Sequence, residues 1–152
     1  MTTTVVAERP DADDARMLIA ELEALLEPLY PAASRHGYGV EKLLREGVDF
    51  FVVRQDGVVA ACCGVQLFGL AYGEIKRMYV RPPFRGLGLG KLMLRHLAAY
   101  AGQRKVGLLR LETGIYQQEA IALYERMGFR PIAPFGAYRD DPLSRFYELA
   151  IA

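Results

Sequence analysis

The chain has 152 residues, and its 19 basic and 18 acidic side chains leave a formal net charge of only +1. Outside Lys76 to Arg85 the basic residues are scattered, which argues against nucleic acid as a partner. No run of about 18 apolar residues occurs and the N-terminal residues lack the basic start of a signal peptide, so we expect no membrane span and a cytoplasmic location. The length and the 52% share of apolar residue types predict one globular domain, residues 1–152.

Hydrophobic periodicity predicts secondary-structure elements in the order βααβββαβαββ, which is typical of an α/β or α+β domain. In chain order these are a strand at 2–8, a helix at 11–27, a loop at 30–39, a short helix at 40–46, strands at 49–54, 58–68 and 72–81, a helix at 88–103, a strand at 106–113, a helix at 120–127, and strands at 129–132 and 144–151.

Short local signals predict where several of these elements begin and end. Asp11 and Asp14 are typical of a capping pair at the start of the first helix, and Pro28 should end that helix about one residue earlier. The pair Asp56-Gly57 predicts a hairpin turn, because both residue types tolerate positive φ. Gly128 is well placed as a left-handed cap of the helix before it.

The two cysteines, Cys62 and Cys63, are neighbours in the chain. Neighbouring side chains on a strand point to opposite faces, so we expect two buried free thiols and no disulfide. Neither His36 nor His96 has a partner at ligand spacing, and no metal site is predicted.

Glycine recurs at every second position of the segment Arg85-Gly86-Leu87-Gly88-Leu89-Gly90, where a predicted strand turns into a helix. Backbone N–H groups and the positive end of the helix dipole make such a turn a candidate phosphate site. The segment is not a Walker A loop, because Arg85 and Leu92 stand where that loop requires glycine and a hydroxyl residue. It is not a dinucleotide fingerprint either, because its glycine spacing differs and no βαβ unit opens the chain.

The segment fits the pattern R-x-x-G-x-G, and a second motif follows at Leu123-Tyr124-Glu125-Arg126-Met127-Gly128-Phe129. With these motifs and this element order, the chain resembles the GNAT superfamily of acetyl-CoA-dependent N-acetyltransferases over nearly its whole length. The resemblance implies a mixed, mostly antiparallel central sheet flanked by helices, with acetyl-CoA as co-substrate and no metal. It implies that amides of the glycine segment hold the CoA pyrophosphate and that the preceding strand pairs with the pantetheine arm. The cofactor residues so implied are Met78, Tyr79, Val80, Arg85, Gly86, Leu87, Gly88, Leu89, Gly90, Lys91 and Gln117.

Acetyl transfer to an amine needs a base, because an alkylamine with a pKa near ~10.4 is mostly protonated at neutral pH. The resemblance points to Glu74 by its place on the strand, and a charged residue at a strand end is the alternative interpretation. It points to Tyr124 as the acid that protonates the departing thiolate, and a core tyrosine is the alternative there. Gln117 stands where many family members have asparagine against the pantetheine arm.

The acceptor is expected near the loops 30–39 and 134–142 and along the strand segment 74–77. The prediction is that it offers the primary amine of a small-molecule or amino-acid-like compound. Arg77, Arg139 or His36 are candidates to bind an acceptor carboxylate. A non-catalytic acyl-CoA sensor and a protein or peptide N-acetyltransferase remain alternative functions. A homodimer formed through the last strand, 144–151, as a sheet edge is a further expectation.

Overall fold

The computed structural model describes residues 1–151 and has the predicted order of elements. The helices and strands are β1 (Thr3–Ala7), α1 (Asp13–Leu26), α2 (Val40–Arg45), β2 (Asp49–Gln55), β3 (Val58–Phe68), β4 (Tyr72–Val80), α3 (Leu89–Gln103), β5 (Leu108–Gly114), α4 (Gln118–Arg126), β6 (Arg130–Ile132) and β7 (Ser144–Ala150).

Within residues 1–151 the strands form one seven-stranded sheet in the order β1-β2-β3-β4-β5-β7-β6. Every neighbouring pair is antiparallel except β4 and β5, which run parallel. The predicted mixed, mostly antiparallel sheet is therefore confirmed. No helix in this part of the chain has both the length and the apolar stretch needed to cross a bilayer.

The two halves of the sheet part between β4 and β5. These strands pair only at Gly73 with Leu109 and at Glu74 with Arg110, so the rest of β4 has no strand partner on that side. On its other side β4 carries a bulge, where its register with β3 shifts between Cys62 and Gly64. Arg77 lies in this bulge with φ of 53°, a left-handed conformation that is uncommon for residues other than glycine.

Helices cover the two faces of the sheet with separate apolar clusters. One cluster joins α3 and α4 to the face that carries Cys63, and the other joins α1 and α2 to the face that carries Cys62. Both cysteines are buried free thiols on opposite faces, as predicted. Burial raises the pKa of each thiol, which makes them apolar core residues rather than nucleophiles.

The predicted capping pair of α1 is wrong. The residue before the helix is Ala12, which makes no side-chain capping bond. The carboxylates instead form ion pairs, Asp11 with Arg9 at 3.0 Å and Asp14 with Arg54 at 2.7 Å. Charged partners compete for these oxygens more strongly than a backbone N–H group does.

The last strand is not an edge, contrary to the prediction. β7 lies between β5 and β6, so the edges of the sheet are β1 and β6. The two predicted turn signals are confirmed, with positive φ at Asp56 and Gly57 in the hairpin and at Gly128 after α4. β5 begins two residues later than predicted, because the N–H of Val106 closes the end of α3 by bonding to Ala101.

Candidate active site

The glycine-rich turn presents unpaired backbone N–H groups at the start of α3. Gly86 and Gly88 have φ of 78° and 81°, in the left-handed region that glycine adopts without strain. No side chain caps α3, and its first hydrogen bond runs from the N–H of Leu92 to the carbonyl oxygen of Gly88. The N–H groups of the first turn are therefore free to bind an anion, and no atom lies within 4 Å of a Cβ built at either glycine.

A cleft runs from this turn along β4 to α4, and we call it the glycine cleft. Its lining includes all of the residues assigned to the cofactor from sequence except Leu87, whose side chain is half exposed. Three basic side chains line the cleft, those of Arg85, Lys91 and Arg126, against one acidic side chain, that of Glu119. Such a surface suits a ligand that carries several phosphate charges. Arg126 was not predicted from the sequence to contact the cofactor.

A second cavity opens where β4 and β5 part, and we call it the inner cavity. The segment from Ser34 to Gly37 borders it on one side, and Tyr138 borders it on the other. Glu74 and Lys76 from β4 and Glu112 from β5 face into it. The cavity is thus walled by the two loops that were expected to meet the acceptor.

Glu74 is held in the inner cavity by two partners. The hydroxyl of Tyr138 donates to its Oε2 at 2.5 Å, and Nζ of Lys76 lies 3.0 Å from the same oxygen. Lys76 also donates to the Tyr138 hydroxyl at 3.0 Å and lies 3.9 Å from the ring centre of Tyr38. Both contacts of the carboxylate use Oε2, which leaves Oε1 for an incoming group. Glu74 is buried inside β4 rather than at a strand end.

Tyr124 lies on α4 and is buried. Its hydroxyl donates to the sulfur of Met78 at 3.9 Å, a weak contact that a stronger acceptor would replace. Burial, and next the nearby carboxylate of Glu112, raise the pKa of this hydroxyl well above its usual value. Tyr124 therefore keeps its proton throughout the neutral range.

Gln117 is held in place by Tyr30 from the loop after α1. The Tyr30 hydroxyl donates to Oε1 of Gln117 at 3.0 Å and accepts from the N–H of Tyr116 at 2.9 Å. Gly114 permits this approach, because a Cβ there would lie 2.1 Å from the Tyr30 ring. The Gln117 side chain lines the glycine cleft, and its contact with Tyr30 does not use the amide nitrogen.

The two cavities meet at a shared wall. Met78, Gln117 and Tyr124 line both of them, together with Leu22 and Ala120. A group bound in the glycine cleft and one bound in the inner cavity would therefore both lie close to Met78, Gln117 and Tyr124.

The three residues predicted as candidates to bind an acceptor carboxylate differ in burial, in their partners and in whether they line a cavity. Arg77 lines the inner cavity, but its guanidinium is buried against Glu23 and donates to the carbonyl oxygen of Tyr38 at 2.7 Å. Burial lowers its pKa to about 10, so it stays charged at neutral pH. Arg139 is exposed and lines neither cavity, and His36 lies 3.9 Å from Asp141.

Arg35, Lys76, Glu112 and Tyr138 of the inner cavity were not named individually from sequence, although all of them except Glu112 lie in segments expected to meet the acceptor. Only the alternation of β4 could have signalled one of them, since Lys76 is two residues from Glu74 and so lies on the same face of the strand. The other three come from loops or from β5, and they reach the cavity through tertiary structure.

A glycine turn with free N–H groups at a helix start, a parted pair of parallel strands and a tyrosine that lines two cavities fit an acyl-CoA-dependent transferase. The chain matches the Acetyltransferase (GNAT) family over residues 18–129 and belongs to it. It is therefore an N-acetyltransferase of a family that uses acetyl-CoA.

The names of individual proteins that are similar to this chain agree with the family assignment. The chain is 40% identical over 146 residues, 95% of both chains, to a protein of Azospirillum brasilense named IAA acetyltransferase. It is 35% identical, with a TM-score of 0.84 and 99% of both chains covered, to a solved structure from Klebsiella pneumoniae named as an acyl-CoA N-acyltransferase. The PaiA N-acetyltransferase of Thermoplasma acidophilum, solved in complex with coenzyme A, shares the fold with a TM-score of 0.76 at 16% identity over 99% of both chains.

Proposed function

We propose that the protein transfers the acetyl group of acetyl-CoA to the primary amine of a small molecule, with Glu74 as the base and Tyr124 as the acid. The meeting of the glycine cleft and the inner cavity at Tyr124 is the observation that supports this most strongly. Acetyl-CoA supplies a thioester carbonyl for the amine to attack and a thiolate that leaves. A cytoplasmic location, where that thioester is made, is part of the proposal.

The glycine turn and β4 hold the donor in this proposal. The N–H groups from Arg85 to Lys91 bind the pyrophosphate, and the unpaired edge of β4 over Met78-Tyr79-Val80 pairs with the amides of the pantetheine arm. A backbone N–H group of this strand segment also donates to the carbonyl oxygen as it becomes negative. Gln117 orients the arm from the opposite wall.

Proton transfer falls to two side chains on either side of the reacting carbon. Oε1 of Glu74 accepts a proton from the acceptor ammonium, directly or through one water, so that the neutral amine attacks. Lys76 and Tyr138 hold the other carboxylate oxygen and so fix the direction of Oε1. As the carbon–sulfur bond breaks, the Tyr124 hydroxyl gives its proton to the departing thiolate. Because burial raises the pKa of this hydroxyl, the tyrosinate is a strong base, and it recovers a proton from the nitrogen that has attacked the carbonyl, directly or through one water.

The inner cavity favours a small acceptor. Loop residues wall it on one side and Tyr138 walls it on the other, and the relative named IAA acetyltransferase also suggests a small-molecule acceptor. A protein or peptide acceptor is the alternative and would have to insert its amine between these loops. The presence of both Glu74 and Tyr124 favours an enzyme over a CoA sensor, because a sensor needs neither a base nor an acid.

The test is release of free thiol from acetyl-CoA in the presence of single amines, amino acids or short peptides. We expect turnover with small amines, and Glu74→Gln should reduce kcat about 100-fold or more at neutral pH. Glu27→Gln, on an exposed glutamate that lines neither cavity, is the matched control. Binding of CoA without turnover of any member of the panel would refute the proposal, and turnover of peptides alone would replace it with the alternative.

A further inference from the structure

The charges of the inner cavity do not cancel within the cavity. Its lining contains three lysine or arginine side chains, one histidine and two acidic side chains. Lys76 pairs with Glu74, Arg77 pairs with Glu23 outside the cavity, and His36 lies near Asp141. Once these pairs are set aside, one guanidinium and one carboxylate remain, those of Arg35 and Glu112.

Arg35 lies directly after the short turn Ala32–Ser34 and has no partner for its buried donor. Its Nε is shielded from solvent and makes no hydrogen bond, and no carboxylate of residues 1–151 lies within ion-pair distance of its guanidinium. A buried donor without a partner is costly, and most such donors in native proteins are satisfied. A carboxylate that entered the cavity would satisfy it, because a guanidinium binds both oxygens of a carboxylate at once.

The loop that carries Arg35 is fixed from within the protein. The guanidinium of Arg77 donates to the carbonyl oxygen of Tyr38 and pairs with Glu23 on α1. Gly37 makes room for that guanidinium, because a Cβ at this position would lie 2.5 Å from it. The backbone of the loop that carries Arg35 is thus held in place before a ligand arrives, which reduces the entropy lost on binding.

Glu112 is the remaining carboxylate, and it reaches the cavity from β5. Its Oε2 accepts a hydrogen bond from the hydroxyl of Ser144 at 2.7 Å, and no basic side chain of residues 1–151 forms an ion pair with it. Lys76 is the basic residue of the same cavity face, and it is taken by Glu74. An ammonium group in the cavity would therefore meet Glu112 without displacing an existing pair.

We infer that the acceptor is an amino acid, whose carboxylate binds Arg35 and whose ammonium group lies between Glu112 and Glu74. This inference rests on the proposed function, since it names the substrate class of the same site. A zwitterion is the complement of the two charges that the protein leaves unpaired. A simple amine would meet Glu112 but would leave Arg35 without a partner.

The test compares free L-amino acids with their C-terminal amides, which keep the amine and lose the carboxylate. For each amino acid that releases thiol from acetyl-CoA, we expect its amide to have a kcat/KM about 10-fold to 100-fold lower. Arg35→Gln should remove this preference by raising KM for the acid and leaving the amide unchanged. Arg35→Lys keeps the positive charge but cannot bind both carboxylate oxygens in the bidentate geometry of arginine, so this variant should retain part of the preference for the acid.

Arg45→Gln is the matched control, because Arg45 is an exposed arginine at the end of α2 that lines neither cavity. It should leave both substrates unaffected. Calorimetric binding of the same amino acids to the protein saturated with CoA measures the subsite without turnover, and Arg35→Gln should weaken that binding by a similar factor. Thermal melting of each variant checks that it is folded.

Equal rates for acids and amides in the wild type would overturn the inference and leave the proposed function standing. A preference for the acid that survives in Arg35→Gln would overturn it as well, by removing Arg35 from the subsite. If the protein turns over no amine and binds no amino acid, the proposed function fails and the inference fails with it.

Discussion

A Cβ built at Gly90 would lie 2.6 Å from Cδ2 of Leu123, closer than side chains approach one another. Gly90 is in the first turn of α3 and Leu123 is on α4, so the missing side chain sets how closely these helices pack. The third glycine of the motif therefore serves helix packing. Gly86 and Gly88 serve a different purpose, since their positive φ shapes the turn and their Cβ positions are open.

Gly90→Ala should lower the free energy of unfolding by about 1–3 kcal/mol, because α4 must shift to admit the methyl group. Gly102→Ala is the matched control on the same helix, where no atom lies within 4 Å of an added Cβ. It should raise the free energy of unfolding by up to about 1 kcal/mol, since alanine favours a helix over glycine. Urea denaturation measures both, and equal effects of the two changes would contradict the packing role.

Gly88→Ala should weaken CoA binding about 10-fold or more, because the left-handed turn that directs the N–H groups becomes strained. Gly57→Ala, in the hairpin between β2 and β3, is the control with φ of 80° and an open Cβ position. Both variants should lose about 1–2 kcal/mol of stability from the same strain. Calorimetric titration with CoA distinguishes the two variants, because only Gly88→Ala should lose affinity. An unchanged affinity in Gly88→Ala would contradict a role of the turn in binding phosphate.

Tyr124→Phe should reduce kcat about 100-fold with little change in the affinity for CoA, because it removes the proton donor and keeps the ring. Tyr100→Phe is the matched change on α3, at a residue that lines neither cavity, and should leave kcat unaltered. Steady-state kinetics with a reactive amine gives both values. An unchanged rate in Tyr124→Phe would show that another group protonates the thiolate.

Glu112→Gln should change how stability depends on pH. Burial raises the pKa of Glu112 above its usual 4.5, against opposing effects of Ser144, His36 and Lys76. The folded protein then holds a proton that the unfolded chain has released, so this contribution to stability is full below pH ~4.5 and is lost as pH rises through the folded-state pKa. The glutamine variant has no such loss and keeps the bond from Ser144.

The measurement is the urea midpoint at several pH values from about 4 to about 8. The midpoint of Glu112→Gln should rise relative to that of the wild type as the pH increases. Glu27→Gln, at an exposed position, should keep a constant offset from the wild type. A constant offset in Glu112→Gln too would mean that the carboxylate ionises as easily in the folded protein as in water.

The order of the elements and the phosphate turn follow from local features of the chain. The period of apolar residues separates helices from strands, and glycines with positive φ, such as Gly57 and Gly128, mark turns whichever tertiary partners they have. The position of Tyr124 was predicted from its motif, because the spacing to Gly128 is fixed by one short helix.

The side-chain contacts in and around the inner cavity could not be predicted in the same way. Tyr138 and Glu74 are 64 residues apart, and Arg77 and Glu23 are 54 apart. Each pair exists only because the tertiary fold packs a loop or a helix against β4. The capping prediction at Asp11 and Asp14 was wrong for a related reason, since Asp14 pairs with Arg54 from the neighbouring strand. An arginine in sequence does not reveal whether its partner lies in the protein or in a substrate.

In the proposed binding mode, acetyl-CoA would fill the gap between β4 and β5 and so become part of the sheet. Only two residue pairs join these strands, so the arm of acetyl-CoA would extend the hydrogen bonding of β4 across the break. A ligand present at 100 times its Kd adds about 2.7 kcal/mol to the free energy of unfolding. The lifetime of this enzyme in a cell should therefore follow the supply of acetyl-CoA, with starved cells degrading what well-fed cells retain.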